Sequence, residues 1–173
     1  MKRILSFLAC ALLILNSSLA FAGPLYSNEM QRRADAGNVA AIAILGYAYA
    51  FGDGISQDHH KASAYWLKAI SHPEWNTLPP KSRGEVYLNL GINYVNGRGV
   101  RQDYHKAGEY YRKAADLGQA QAMYYMGSMY YRGLGVRQDY RKAKKYFGMA
   151  CDHGFQSGCD GYRKMNERGL GNL

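Results

Sequence analysis

Proline is scarce in this 173-residue chain. There are four, and three of them stand close together at Pro73, Pro79 and Pro80. Helix cannot run through that segment. Cysteine is scarcer still, at three residues, and one of these, Cys10, sits near the N-terminus. Acidic residues are few, 13 against 22 basic ones. Beyond the N-terminus no segment is long and apolar enough to span a membrane. The motifs of hydrolytic chemistry are missing as well: there is no His-Glu-x-x-His, no Ser-x-x-Lys and no Gly-x-Ser-x-Gly. Asp116 and Asp152 are isolated carboxylates with no paired acid. His59 and His60 stand beside Asp58, but adjacent positions of a helix face different ways and make a poor chelate. Paired glycines are frequent, yet they follow helical patterns and not strands, which excludes a dinucleotide site.

The N-terminus has the layout of an export signal. Lys2 and Arg3 precede an apolar run from Ile4 to Leu15, and Ala20-Phe21-Ala22 supplies small residues before Gly23. This predicts a signal peptide over residues 1–22, cleaved after Ala22, and a periplasmic or secreted product. A retained anchor is the alternative, and it needs roughly 20 apolar residues, more than stand before Asn16-Ser17-Ser18. Removal leaves 151 residues with a formal charge of +7, enough for one domain with a substantial core. The basic residues are spread along the chain. That suits solubility, and it also allows attraction to an anionic envelope surface. Tyrosine is abundant, at 16 residues, and exceeds what packing alone requires; it is a preferred recognition residue.

Internal repetition dominates the rest. Leu90-Gly91-Ile92-Asn93-Tyr94 through Asp103-Tyr104 recurs 36 residues on as Met126-Gly127-Ser128-Met129-Tyr130 through Asp139-Tyr140. An earlier copy begins at Leu45-Gly46, 45 residues before the middle one, so nine residues are inserted between them. Each copy reads as two helices. In the first, Ala122, Met126 and Tyr130 keep helical spacing. Gly46, Gly91 and Gly127 fall inside that helix, where glycine costs about 1 kcal/mol against alanine. Close approach of the next helix would explain them. A glycine pair then ends the helix: Gly52 with Gly54, Gly97 with Gly99, and Gly133 with Gly135. One glycine of each pair suits the left-handed position and the other a sharp loop. Asp58, Asp103 and Asp139 then stand where the second helix needs an N-cap. Trp66, Tyr111 and Phe147 supply one large aromatic per copy, and Ala69, Ala114 and Ala150 permit close packing.

The pattern Ala-x-x-x-Leu-Gly-x-x-Tyr-x-x-Gly-x-Gly-Val-x-x-Asp-x-x-Lys-Ala strongly resembles the Sel1-like repeat, a relative of the tetratricopeptide repeat. The resemblance covers nearly all of the chain after residue 22. It implies an all-α fold, a right-handed α-solenoid of antiparallel helix-turn-helix repeats. The expected layout is an N-terminal capping helix over 23–37 and a repeat domain over 38–173, with units of about 38–70, 83–118 and 119–154, a partial unit 155–171 and an insertion at 71–82. Capping segments suit stacked repeats, whose ends need polar faces. Trp75 in the insertion is either an anchor for a partner or cover for the widened junction.

Cys151 and Cys159 are placed at the end of one helix and the start of the next, which a Gly-containing turn would bring together. An even pair in an oxidising compartment reads as a disulfide. The resemblance to cysteine-rich secreted members of the family points the same way, although those carry a pair in every repeat. A free reactive or metal-binding thiol pair is the alternative.

Tetratricopeptide-like superhelices bind on the concave face lined by the first helix of each unit. By that likeness the ligand-binding residues are Tyr124, Tyr125, Ser128, Tyr131 and Arg132 in the third unit, Asn89 and Asn96 in the second, and Tyr47 in the first. Each of them either lines the groove or packs between helices. The function implied is a non-enzymatic scaffold for protein or peptide partners, with no cofactor, metal or nucleic acid. Two alternatives stand: a cell-wall or β-lactam hydrolase, as some cysteine-rich relatives have been described, and an immunity or regulatory partner of one cognate protein. Neither a serine–lysine pair nor a zinc set is present for the first of these.

Overall fold

The computed structural model describes residues 23–171. The leader expected over residues 1–22, with its cleavage after Ala22, lies outside the described residues. The described chain is helical throughout and contains no strand. Its helices are α1 (Asn28–Asp35), α2 (Val39–Phe51), α3 (His59–Ile70), α4 (Pro80–Asn96), α5 (Tyr104–Asp116), α6 (Ala120–Arg132), α7 (Tyr140–Asp152) and α8 (Gln156–Glu167). A short 3-10 turn, Pro73–Thr77, stands between α3 and α4. The fold is the all-α solenoid class expected. Two compact units divide it, one ending at Ser82 and the other beginning at Arg83.

The repeating residues act locally and alike in each copy. Asp58, Asp103 and Asp139 cap α3, α5 and α7, each accepting from the backbone N–H of the lysine three residues on, at 2.9–3.0 Å. Such a cap contributes about 1 kcal/mol. Gly52 and Gly133 close α2 and α6 in the left-handed conformation, at φ 68° in both, and Gly97 follows α4 at φ 65°. The second glycine of each pair sits in the bend that follows, the sharp loop expected. Gly54, Gly99 and Gly135 are left-handed too, at φ 77°, 69° and 65°. Both members of a pair therefore sit where a Cβ is strained, and Gly99 is held as a glycine for the same reason as Gly97.

The glycines inside the first helices have a different cause. A Cβ on Gly127 would lie 2.7 Å from the Phe147 ring, and one on Gly91 would lie 2.5 Å from Tyr111. Gly46 meets the Trp66 indole in the same way. Ordinary carbon contacts are about 3.5–4.0 Å, so only glycine admits the aromatic at this depth.

In the first unit, α2 is buried along almost its whole length, with Ile42 and Leu45 fully enclosed beside Trp66 of α3. The segment before α1 is not helical. Tyr26 N–H donates to the Asp53 carbonyl at 3.1 Å, and a Cβ on Gly54 would stand 2.7 Å from Pro24. The cap is therefore shorter as a helix than expected, and residues 24–26 seal the loop of the first repeat. Trp75 is only 5% exposed, so it is packed away and is no anchor for a partner. The insertion is also more ordered than a loop. Pro80 opens α4, which proline permits because the first N–H groups of a helix have no intrahelical partner.

In the second unit, α4 to α8 pack around Tyr111, Met123, Met126 and Met129, with Phe147 and Met165 forming the next layer. The glycine loops seat one repeat on another here too. Gly135 lies against the backbone of Tyr104 and His105, and Gly171 against that of Tyr140. A side chain at either glycine would separate the layers.

Many tyrosines are spent on the frame. Tyr49 stacks on Tyr65, Tyr94 on Tyr110 and Tyr130 on Tyr146, with ring centroids 5.5–5.6 Å apart. Lys61, Lys106 and Lys142 lie over the first ring of each pair, at 5.1–5.5 Å. An exposed cation–π contact is worth about 0.5–1 kcal/mol. The surplus of tyrosine is thus partly structural. Burial, followed by the neighbouring Tyr94, pushes the Tyr110 phenol up to about 12.

Candidate groove on the first helix of the third repeat

Two hollows lie side by side along α6. The first, about 380 Å³, is walled by Tyr124, Ser128, Tyr131 and Arg132 and closed opposite by Asp160, Lys164 and Arg168 of α8 and the turn after it. Phe147 and Met165 are its floor. The second, about 340 Å³, adds Ile92, Val95 and Asn96 of α4, with Tyr125 and Leu134. Tyr124, Ser128 and Arg132 line both hollows, so the two adjoin along one face of α6.

The local sequence explains why this face is open. Along α6 the residues at Ala122, Met126 and Met129 turn inward and are buried. Tyr124, Ser128 and Tyr131 follow at helical spacing on the adjoining face and are half-buried. The tyrosine rings of this face are held in place. Tyr124 packs 5.5 Å from both Phe147 and Phe155. Tyr125 packs 5.0 Å from Tyr111 and its hydroxyl accepts from Gln121 at 2.9 Å. The Arg168 guanidinium donates to the Tyr131 hydroxyl at 3.0 Å. Aromatic surface ordered in advance loses little freedom on binding, which favours affinity.

The residues expected from the sequence distribute unevenly. Tyr124, Tyr125, Ser128, Tyr131, Arg132 and Asn96 come together around the groove. Asn89 lines neither hollow; its side-chain amide donates to the Glu85 carbonyl at 2.8 Å. Tyr47 corrects the expectation. It is 3% exposed and packs edge-on against Trp66 at 5.2 Å, so it belongs to the core. The reason is that α2 is apolar on every side and leaves no face for a ligand. Lys164, Arg168 and Asp160 were not anticipated. Their spacing of four along the C-terminal helix was the available signal for one shared face.

Cys151 in α7 and Cys159 in α8 are joined by a disulfide, with Cα atoms 4.5 Å apart. It ties the helix carrying Phe147 to the helix that closes the groove. Bonded cysteines leave no free thiol pair for the alternative chemistry.

Fold and groove together define a helical-repeat scaffold with a tyrosine-lined groove along α6. The Sel1 repeat family model matches residues 39–72, 84–119 and 120–155. The chain belongs to the Sel1 repeat family, whose members typically act as protein-interaction scaffolds. Among solved structures it is similar to c5321, a protective antigen present in uropathogenic Escherichia coli strains, at 32% identity and TM-score 0.72, over 82% of this chain and 28% of that one. It is also similar to a Sel1 repeat protein from Oxalobacter formigenes, at 25% identity and TM-score 0.70, over 83% of this chain and 54% of that one. Helicobacter pylori cysteine rich protein B aligns at 26% identity and TM-score 0.55, over 76% of this chain and 93% of that one. The chain thus spans about 28% of the length of c5321 and 54% of the Oxalobacter protein. No curated protein matches it. No helix among the described residues is long and apolar enough to cross a membrane. The disulfide and the cysteine-rich neighbour fit an extracytoplasmic protein.

Proposed function

We propose that this chain is an exported scaffold that binds a protein or peptide partner in the α6 groove, without turnover. The observation that carries the reading is the open groove over Tyr124, Ser128 and Tyr131, in which the two tyrosine rings are already ordered by Phe147, Phe155 and Arg168. Tyrosine supplies large contact area at low entropic cost, and groove-centred aromatics carry most of the energy of many interfaces. Export is supported by the leader layout of residues 1–22, by the disulfide, and by likeness to a protein described as a protective antigen. The compartment proposed is the periplasm or the exterior, with cleavage after Ala22.

Affinity capture from envelope extract tests this directly. Wild-type bait should retain partners that Tyr124→Ala/Tyr131→Ala bait loses. Equal recovery by both baits would refute the groove, and turnover of nitrocefin or muropeptides by the pure protein would refute the non-enzymatic role.

A further inference from the structure

The two ends of the groove differ in chemistry. At one end Arg132, Lys164 and Arg168 converge, and none of them forms an ion pair among the described residues. Asp160 is the one carboxylate in that hollow, and it is shared with partners outside it. Its oxygen accepts from Arg163 at 2.7 Å and from Gln156 at 3.3 Å, and neither of those residues lines the hollow. Three cations against one carboxylate leave the hollow with a net positive lining beside two aromatic walls. At the other end Ile92, Val95 and Leu134 form an apolar surface, and Arg132 is the only charged residue lining it.

From this asymmetry we infer that the groove takes an extended acidic polypeptide segment. Its carboxylates lie against Arg132, Lys164 and Arg168, and its apolar side chains lie along Ile92, Val95 and Leu134. The inference rests on the binding reading above and adds the class of partner. Arginine presents paired donors that match a carboxylate. Exposed charges of this kind set specificity and encounter rate more than raw affinity, whereas the tyrosines supply contact area. An anionic membrane is a poorer fit, since a planar surface meets protrusions and not the floor of a hollow. A uniformly charged polyanion leaves the apolar end unused.

The test is fluorescence anisotropy with labelled peptides built from glutamate, leucine and tyrosine, beside counterparts carrying glutamine for every glutamate. The acidic peptides should bind about tenfold more tightly at low salt. The preference should shrink as salt is raised. It should vanish in Arg132→Glu/Lys164→Glu/Arg168→Glu, whose helicity is checked by circular dichroism. Single Arg132→Gln and Lys164→Gln variants, each reducing the preference in part, serve if the triple variant does not fold. Equal affinity for the glutamine peptides overturns the inference, as does an acidic preference that survives charge reversal. Heparin or phosphatidylglycerol vesicles that bind as tightly, and displace the acidic peptide, overturn it in favour of a general polyanion surface. If acidic preference is absent while Tyr124→Ala/Tyr131→Ala still abolishes capture from extract, the groove stands and only its charge assignment falls. If capture is also unaffected, both fall.

Discussion

Replacing Gly127 with alanine puts a methyl group where the Phe147 ring already lies. The new Cβ would stand 2.7 and 2.8 Å from two ring carbons and 3.1 Å from a third. Restoring ordinary contact needs a displacement approaching 1 Å in a packed layer. Overpacking of this kind costs about 1–3 kcal/mol. Alanine in mid-helix returns about 1 kcal/mol of helix propensity, so the net loss is about 0–2 kcal/mol. The sharper expectation lies in the double mutant. In a Phe147→Leu background the ring is gone, and the same Gly127→Ala change should become neutral or stabilising. The coupling between the two sites should reach about 1–3 kcal/mol, as for residues in direct contact. Gly154 is the control. It sits at φ 80° with nothing within 4 Å of an added methyl, so its alanine variant carries backbone strain alone and should be indifferent to Phe147. Urea unfolding of the oxidised protein, followed by far-ultraviolet circular dichroism, measures all of these. Equal effects of Gly127→Ala with and without the phenyl ring would refute the close-approach explanation for the repeating glycine.

Cys151→Ser/Cys159→Ser should cost about 2–3 kcal/mol, the value for a short closed loop, and should speed amide exchange in α8 before α6; unchanged exchange there would count against the staple. Alkaline titration should show delayed phenols. Burial first, then the neighbouring Tyr94, raises the Tyr110 phenol to about 12, while the unfolded chain ionises near 10. The folded state therefore holds its proton longer, and this stabilisation is full below pH 10 and disappears as pH rises toward 12. Absorbance at 295 nm should accordingly resolve a late group that titrates as helicity is lost; a single normal titration of every tyrosine would contradict it. Asp103→Ala should cost about 1 kcal/mol by removing the acceptor for Lys106 N–H, and Asp103→Asn should recover most of it.

The repeat was legible because its residues act through the backbone next to them. Glycine at the left-handed helix end and aspartate at the N-cap need no knowledge of the rest of the chain. Gln57, Gln102 and Gln138 were equally legible in principle, since they recur at the same spacing; each donates to a carbonyl at the end of the preceding helix, at 2.7–2.8 Å. The groove was only half legible. Helical spacing put Tyr124, Ser128 and Tyr131 on one face, but nothing in their neighbourhood reveals that Lys164 and Arg168 close over them. Tyr47 failed for a different reason. Helix α2 has no polar side, so periodicity carries no information about which of its faces meets solvent. Pro80 misled because proline breaks a helix interior yet opens a helix well.

Both tryptophans of the chain, Trp66 and Trp75, lie in the unit that ends at Ser82, and both are buried. The other unit has only tyrosine and phenylalanine as fluorophores. Excitation at the red edge of the absorption band therefore illuminates one half of the molecule alone, with no label attached. Emission would report the melting of that half, while ellipticity reports both. Whether the two halves come apart together or in turn can be read from the unmodified protein in a single cuvette.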